Sequence, residues 1–216
     1  MISRRGVLTG SLFLVAASPN RAMASPFKPV ISFEVSRNGD RIGQHTIRFR
    51  QDGALLEAEI NVDLALRLGP IVLYRYTHKC REIWRDGAFA SLESETDDDG
   101  TRFRVKAART PESIVVEVSD ASRAIFPPDA IPLTHWNNLC MQRPLFSPQD
   151  GTPIASSVVP RGEDMVPLAD GRLVRATRYS LIGKVALDDW YDTARQWTAL
   201  RAPGRDGSMI EYRRAA

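Results

Sequence analysis

The first side chains to suggest chemistry by type are His78, Cys80, His135 and Cys140. Thiolate and imidazole are the ligands of structural zinc, and a thiol beside an imidazole is a nucleophile–base pair. The spacing favours neither use. Zinc motifs come as CxxC or HxxxH pairs, and the chain has none. On a helix, His135 and Cys140 would stand about 140° apart around the axis, too far to face one point. A serine nucleophile would need GxSxG or its equivalent, and neither a phosphate-cradling glycine loop nor a dinucleotide fingerprint is present. The run Asp97-Asp98-Asp99-Gly100 lacks the alternating acids and distant glutamate of an EF-hand, and reads as a hairpin tip. No catalytic residue and no metal ligand is assigned, and no cofactor is expected.

What the cysteines are depends on the compartment, and the N-terminus speaks to that. Arg4 and Arg5 precede an apolar run from Val7 to Ala17, a polar break at Ser18-Pro19-Asn20, and the small-x-small triplet Ala22-Met23-Ala24. This is the three-part plan of a cleavable export signal over residues 1–24, with cleavage after Ala24. Ser3-Arg4-Arg5-Gly6-Val7-Leu8 has the twin-arginine form. The apolar run is about half the length a spanning helix needs, and no transmembrane segment is expected elsewhere. A periplasmic or secreted location follows, with the export machinery as first partner. In an oxidising compartment the even pair Cys80 and Cys140 is expected to form a disulfide, with two separate buried thiols and a zinc site as the alternatives. The signal also carries Arg21 and no acid. Removing its three arginines from 29 basic residues leaves 26, against 26 acids. A balanced chain offers no surplus of positive charge for nucleic acid.

The elements that position these residues read as strands. Ile31, Phe33 and Val35 alternate with polar residues, and Asn38-Gly39 follows as a hairpin turn. His45, Ile47 and Phe49 share one face of the next run. Between Leu56 and Leu68 every even position is apolar, and most odd ones are charged or polar. Such separation needs the two-residue period of a strand, and so long a strand implies curvature or a bulge. After Gly69-Pro70 a second long strand puts Val72, Tyr74, Tyr76, His78, Cys80 and Trp84 on one face. Glu82 falls on that same face, so either a bulge shifts the register or Glu82 is an inward acid. Turns at Asp86-Gly87 and Asp97–Gly100 continue the meander, and strand patterns return from Ile154 to Arg213. Between them, Pro127 to Pro153 is proline-rich, with one short helix expected at 134–141, capped by Thr134.

The predicted fold is therefore all-β: a single domain over residues 25–216, a curled antiparallel meander or open β-barrel with one short helix in a proline-rich connection. Its core face is expected to include Ile47, Phe49, Leu56, Ile60, Val62, Val72, Tyr74, Tyr76 and Trp84.

Short motifs add a resemblance. Phe33-Glu34-Val35 with Asn38-Gly39-Asp40-Arg41-Ile42-Gly43, Trp84-Arg85-Asp86-Gly87, Trp190-Tyr191-Asp192, Trp197 and Asp206–Tyr212 resemble the landmarks of a family of exported bacterial proteins of unknown function. The resemblance implies a curled antiparallel sheet of the kind found in periplasmic lipoprotein carriers. It brings no catalytic residues. Tyr74, Tyr76, His78, Trp84, His135 and Trp136 are the candidate ligand-binding residues, because their rings combine apolar area with a polar handle. The leading expectation is a binding module for a lipid or other apolar small molecule, with the proline-rich segment as lid. The alternatives are an enzyme using His78 and His135, metal-dependent or not, and an assembly partner in the cell envelope.

Overall fold

The computed structural model describes residues 28–119, 122–204 and 206–216. The signal, with Arg4, Arg5 and the cleavage position after Ala24, lies outside the described residues. The first half is a run of sequential strands: β1 (Val30–Arg37), β2 (Asp40–Asp52), β3 (Leu55–Leu68), β4 (Ile71–Arg85), β5 (Ala88–Asp98), β6 (Thr101–Arg109), β7 (Ile114–Val118) and β8 (Arg123–Phe126). Two-residue strands β9 (Ile131–Pro132) and β10 (Leu145–Phe146) flank a single 3-10 turn at Asn138–Met141. A second run follows: β11 (Ser156–Pro167), β12 (Leu173–Gly183), β13 (Leu187–Asp192), β14 (Trp197–Pro203) and β15 (Met209–Arg214).

The two runs join into one open, antiparallel, thirteen-stranded sheet in the order β11 to β15, then β1 to β8. The join is β15 on β1, with Phe33 opposite Arg214. Turn chemistry explains the sequential pairing. Asn38-Gly39 takes φ of +50° and +92°, and Asp86-Gly87 takes +52° and +74°. Positive φ at both central residues is the tight turn whose twist matches that of paired strands. In β3 the predicted alternation holds: Ala58, Ile60, Val62 and Leu64 are buried, and Asn61 and Asp63 between them are exposed.

The sheet curls around residues 127–155. One cluster holds Phe33, Ile47, Phe49, Trp84, Phe89, Val105, Val116 and Trp197 from the sheet together with Ile131, Leu133, Trp136, Met141, Leu145 and Phe146 from this segment. The predicted lid is thus a plug. Its backbone bonds close mainly on itself: Ile131 N–H to the Pro144 carbonyl, Leu133 to Phe146, Ile154 to Leu145. Ser94 and Thr96 on β5 tie it to the sheet by donating to the carbonyls of Pro148 and Gln149. Gly151, at φ +72°, passes so close that an added Cβ would lie 2.6 Å from the Val118 side chain.

Three expectations are corrected. The short helix expected in the proline-rich connection is present, but as a 3-10 turn that begins at Asn138 and not as a helix over all of 134–141. Trp136 N–H bonds across His135 to the Thr134 carbonyl, and this tight turn holds His135 at φ +62°, which an α-helix does not admit. The shorter 3-10 turn at Asn138–Met141 is capped by Asn137, whose side chain accepts from Leu139 N–H. Second, Cys80 and Cys140 are not bridged; each is a free, buried thiol. Cys80 lies on β4, and the turn at His135 brings Cys140 instead to the Tyr191 hydroxyl on β13. Third, Val72 and Tyr74 are exposed rather than core, because the β3–β4 hairpin outruns its neighbours there. Leu56 and Tyr76 are half-buried.

Candidate functional site: the polar groups inside the sheet

Among the described residues, three of the buried polar groupings inside the sheet carry titratable groups that could do chemistry. Glu82 lies on β4 between Ala58 and Leu92 of the adjacent strands, and is wholly buried. It is an inward acid; the β4–β5 register shift comes after it, between Ile83 and Trp84. Its Oε2 accepts from the indole N–H of Trp84 at 2.8 Å and of Trp136 at 3.2 Å, and Oε1 makes no hydrogen bond. Burial pushes its pKa up to about 7, against the opposing pull of the polar groups of Trp84, Thr134 and Trp136 around it.

One interior row runs Phe33, His45, Val62, His78 and Thr96 across β1 to β5. His78 Nδ1 lies 2.9 Å from Thr96 Oγ1, whose own proton goes to the Gln149 carbonyl. His78 must then donate through Nδ1, leaving a lone pair on Nε2. Burial lowers its pKa to about 4. His45 is lowered to about 3, by burial first and then by the neighbouring His135 and His78, and its Nε2 has no hydrogen-bond partner. Both imidazoles are neutral at neutral pH.

The third grouping joins plug to sheet. His135 Nδ1 is 2.8 Å from Oδ2 of fully buried Asp189, whose Oδ1 accepts from the Trp197 indole at 3.0 Å. The His135 ring stacks on Trp197 with centroids 5.1 Å apart. The Tyr191 hydroxyl donates to the His135 carbonyl at 2.8 Å, so the Cys140 thiol 3.3 Å away donates to Tyr191. With Nδ1–H aimed at a carboxylate, the Nε2 of His135 is left as an acceptor, the arrangement of an oriented base. The His135 side chain is 16% exposed, so this base has a path to solvent. Both thiols are buried, which disfavours the nucleophilic thiolate. Burial raises both pKa values well above the usual range, with Glu82 adding to the effect on Cys80 and Asp189 on Cys140.

Of the six predicted ligand-binding residues, the fold brings Trp84 and Trp136 together, edge to face at 5.4 Å, over Glu82. His78 and His135 both approach His45. Tyr76 is half-buried near Tyr212, and Tyr74 lies outside, its hydroxyl donating to Asp98. Among the described residues no three His, Cys, Asp or Glu side chains converge as a metal shell. Sequence reasoning missed Asp189, Tyr191 and Trp197 as partners of His135, because nothing local in Leu187–Asp192 marks Asp189 as inward.

The outward face is different in kind. An unbroken row of alternating charge crosses it, one residue per strand from β2 to β8: Arg48, Glu59, Arg81, Glu93, Lys106, Glu117 and Arg123. Much of this row lines a shallow cleft of about 440 Å³. Exposed and balanced, it is a solvated face, where a membrane-embedded strand would present apolar residues.

This sheet and plug occupy the region that decides the family. The sequence family described as Domain of unknown function (DUF6134) matches residues 33–215, from β1 to just past β15. The chain belongs to the DUF6134 family. The match covers all three interior groupings of this DUF6134 domain. A search of curated proteins finds no match. Among solved structures, the DUF6134 chain is similar to a β-barrel-like protein from Brucella abortus, itself a domain of unknown function, DUF1849. The TM-score is 0.59 at 9% identity, covering 86% of this chain and 95% of that one. At that identity the likeness concerns the fold.

Proposed function

We propose that this is an exported envelope protein that binds an apolar or amphipathic molecule, such as an acyl chain, between its curled sheet and its plug. The observation that carries the reading is how the plug is held. Residues 127–155 fill the concave face with side chains, while most of their backbone hydrogen bonds stay within the segment. Such a segment can be displaced without opening a strand pair. The trough it would leave has apolar walls in Phe33, Phe49, Trp84 and Phe89, with Glu82 and His78 as polar handles, the usual make-up of a site for a largely apolar ligand. Export rests on the charged, apolar and small-residue parts of residues 1–24, and the twin-arginine form points to a periplasmic or secreted protein delivered already folded.

The test is native mass spectrometry and lipid extraction of protein purified after export, for the wild type and for Trp136→Ala, which loosens the plug. Acyl-containing species are expected on the protein, in larger amount on the variant. Two correctly folded proteins that both carry no lipid would sink the proposal.

A second reading has its own support in the His135–Asp189 pair: His135 Nε2 as a general base toward a water or hydroxyl reaching the plug edge. A His135→Gln variant that keeps its fold and loses an ester-hydrolysis activity measurable in the wild type is the expected result. Equal activity in the two proteins rejects it.

A further inference from the structure

The hairpin of β3 and β4 runs beyond the rest of the sheet. β2 pairs with β3 only as far as Gly43 opposite Leu64, and β5 pairs with β4 only as far as Asp98 opposite Tyr76. Past those rungs Ala65–Arg75, Leu66–Tyr74, Arg67–Val72 and Leu68–Ile71 pair with each other and close at Gly69-Pro70. Four rungs at about 3.4 Å each make a finger of roughly 14 Å.

The finger is apolar and stands in water. Leu68 is 67% exposed, Ile71 59% and Leu73 54%, with Val72 and Tyr74 also exposed. A one-residue bulge at Leu73 sets Tyr74, opposite Leu66, and Val72, opposite Arg67, on different faces, so the tip is apolar on both faces. Arg75 and, on β2, Arg41 stand at the base and Arg67 one rung short of the tip, three exposed guanidiniums that line one cleft together.

We infer that this finger docks on an anionic lipid surface, its tip in the acyl boundary and the arginines against headgroup phosphates. A protein groove covers one face of a hairpin, whereas a bilayer surrounds a tip on every side, which is where this finger is apolar. The arginine collar supplies the charge complementarity, since guanidinium forks fit phosphate oxygens. Interfacial elements bury to about 5–10 Å, which the finger reaches while the charged outward face stays in water. Asp63 accepts from Arg75, and Asp98 stands beside Tyr74, so the collar is partly neutralised and the attraction is moderate and sensitive to salt. The inference stands on the finger alone and does not depend on a ligand inside the sheet.

Protein beginning at Ser25, which contains every described strand, is sedimented with vesicles of phosphatidylglycerol and phosphatidylethanolamine and, separately, of phosphatidylcholine. Binding is expected several-fold stronger to the anionic vesicles and weaker as sodium chloride rises. Ile71→Asp combined with Leu73→Asp is expected to lower binding about tenfold or more, because charge is excluded from the acyl boundary. Arg67→Glu is expected to remove much of the preference for anionic lipid. These side chains face solvent, and unchanged circular dichroism and melting temperature verify the fold. Equal binding by wild type and the double variant overturns the inference, as does no binding by either. Self-association of the wild type that the double variant abolishes, without vesicle binding, also overturns it and assigns the tip to a second copy of the chain.

Discussion

A buried carboxyl and two buried imidazoles set the response of this protein to acid and base. Glu82 titrates at 4.5 when unfolded and about 7 when folded. Its raised value means that the stability conferred by the neutral form is complete below about pH 4.5 and is lost as pH climbs through 7. His45 and His78 act in the opposite sense. Their folded values are about 3 and about 4 against 6.5, so their contribution is present above pH 6.5 and lost as pH falls toward 4 and 3. Glu82→Gln keeps an acceptor for Trp84 and Trp136 but removes the titration. Its advantage over the wild type in urea unfolding is expected to be about 2 to 3 kcal/mol larger at pH 8 than at pH 5. A constant difference across that range would show that Glu82 is not the group that titrates. That His78 and Trp84 share the inward face was legible from strand alternation; that Trp136 meets Trp84 was not. The partnership of His135 with Asp189 was not, because 54 residues separate them and only the plug's path brings them together.

At the scale of elements, the plug and the finger are the two places where local reading and structure part. Hairpins were legible because each carries its own signal, as Asn38-Gly39 and Asp86-Gly87 show. The short helix expected near 134–141 is confined to Asn138–Met141 because a single residue, His135, takes positive φ, and nothing in the run His-Trp-Asn-Asn announces it. Val72 and Tyr74 alternate as a core strand should, but where neighbouring strands stop is a property of the sheet, not of β4. The plug depends on side-chain burial, so truncating its central ring must release it. Trp136→Ala is expected to destabilise the protein by about 3–5 kcal/mol, as large aromatic truncations do. Limited proteolysis of that variant should cut first between Pro127 and Pro153 while the strands stay protected. First cuts within β2 to β6 would show that plug and sheet unfold as one unit.

For the whole molecule, charge is arranged strand by strand. The outward residues of β2 are basic at Arg48 and Arg50, those of β3 acidic at Glu57, Glu59 and Asp63, and those of β4 basic at Arg75, Lys79 and Arg81. β5 returns to acid at Glu93, Glu95 and Asp97, and β6 to base at Arg102, Arg104 and Lys106. A two-residue slip would keep these attractions, so the pattern selects which strands become neighbours, and the tight turns fix their register. The pairs are exposed, as Arg104–Glu95 at 3.1 Å and Lys106–Glu93 at 3.6 Å illustrate, and each contributes little. Unfolding stability is therefore expected to change by less than about 1 kcal/mol between low and moderate sodium chloride, a range over which exposed pairs are screened. A larger loss would mean that the ladder holds the sheet together. The joining of β15 to β1 has a further consequence, for the timing of synthesis. The hairpins of the first half can form as the chain leaves the ribosome, but β1 keeps a bare edge until Arg214 has been made and can reach Phe33. A nascent chain stalled anywhere before β15 would present that edge to other chains, so only a chain in which β15 has been made can hide it.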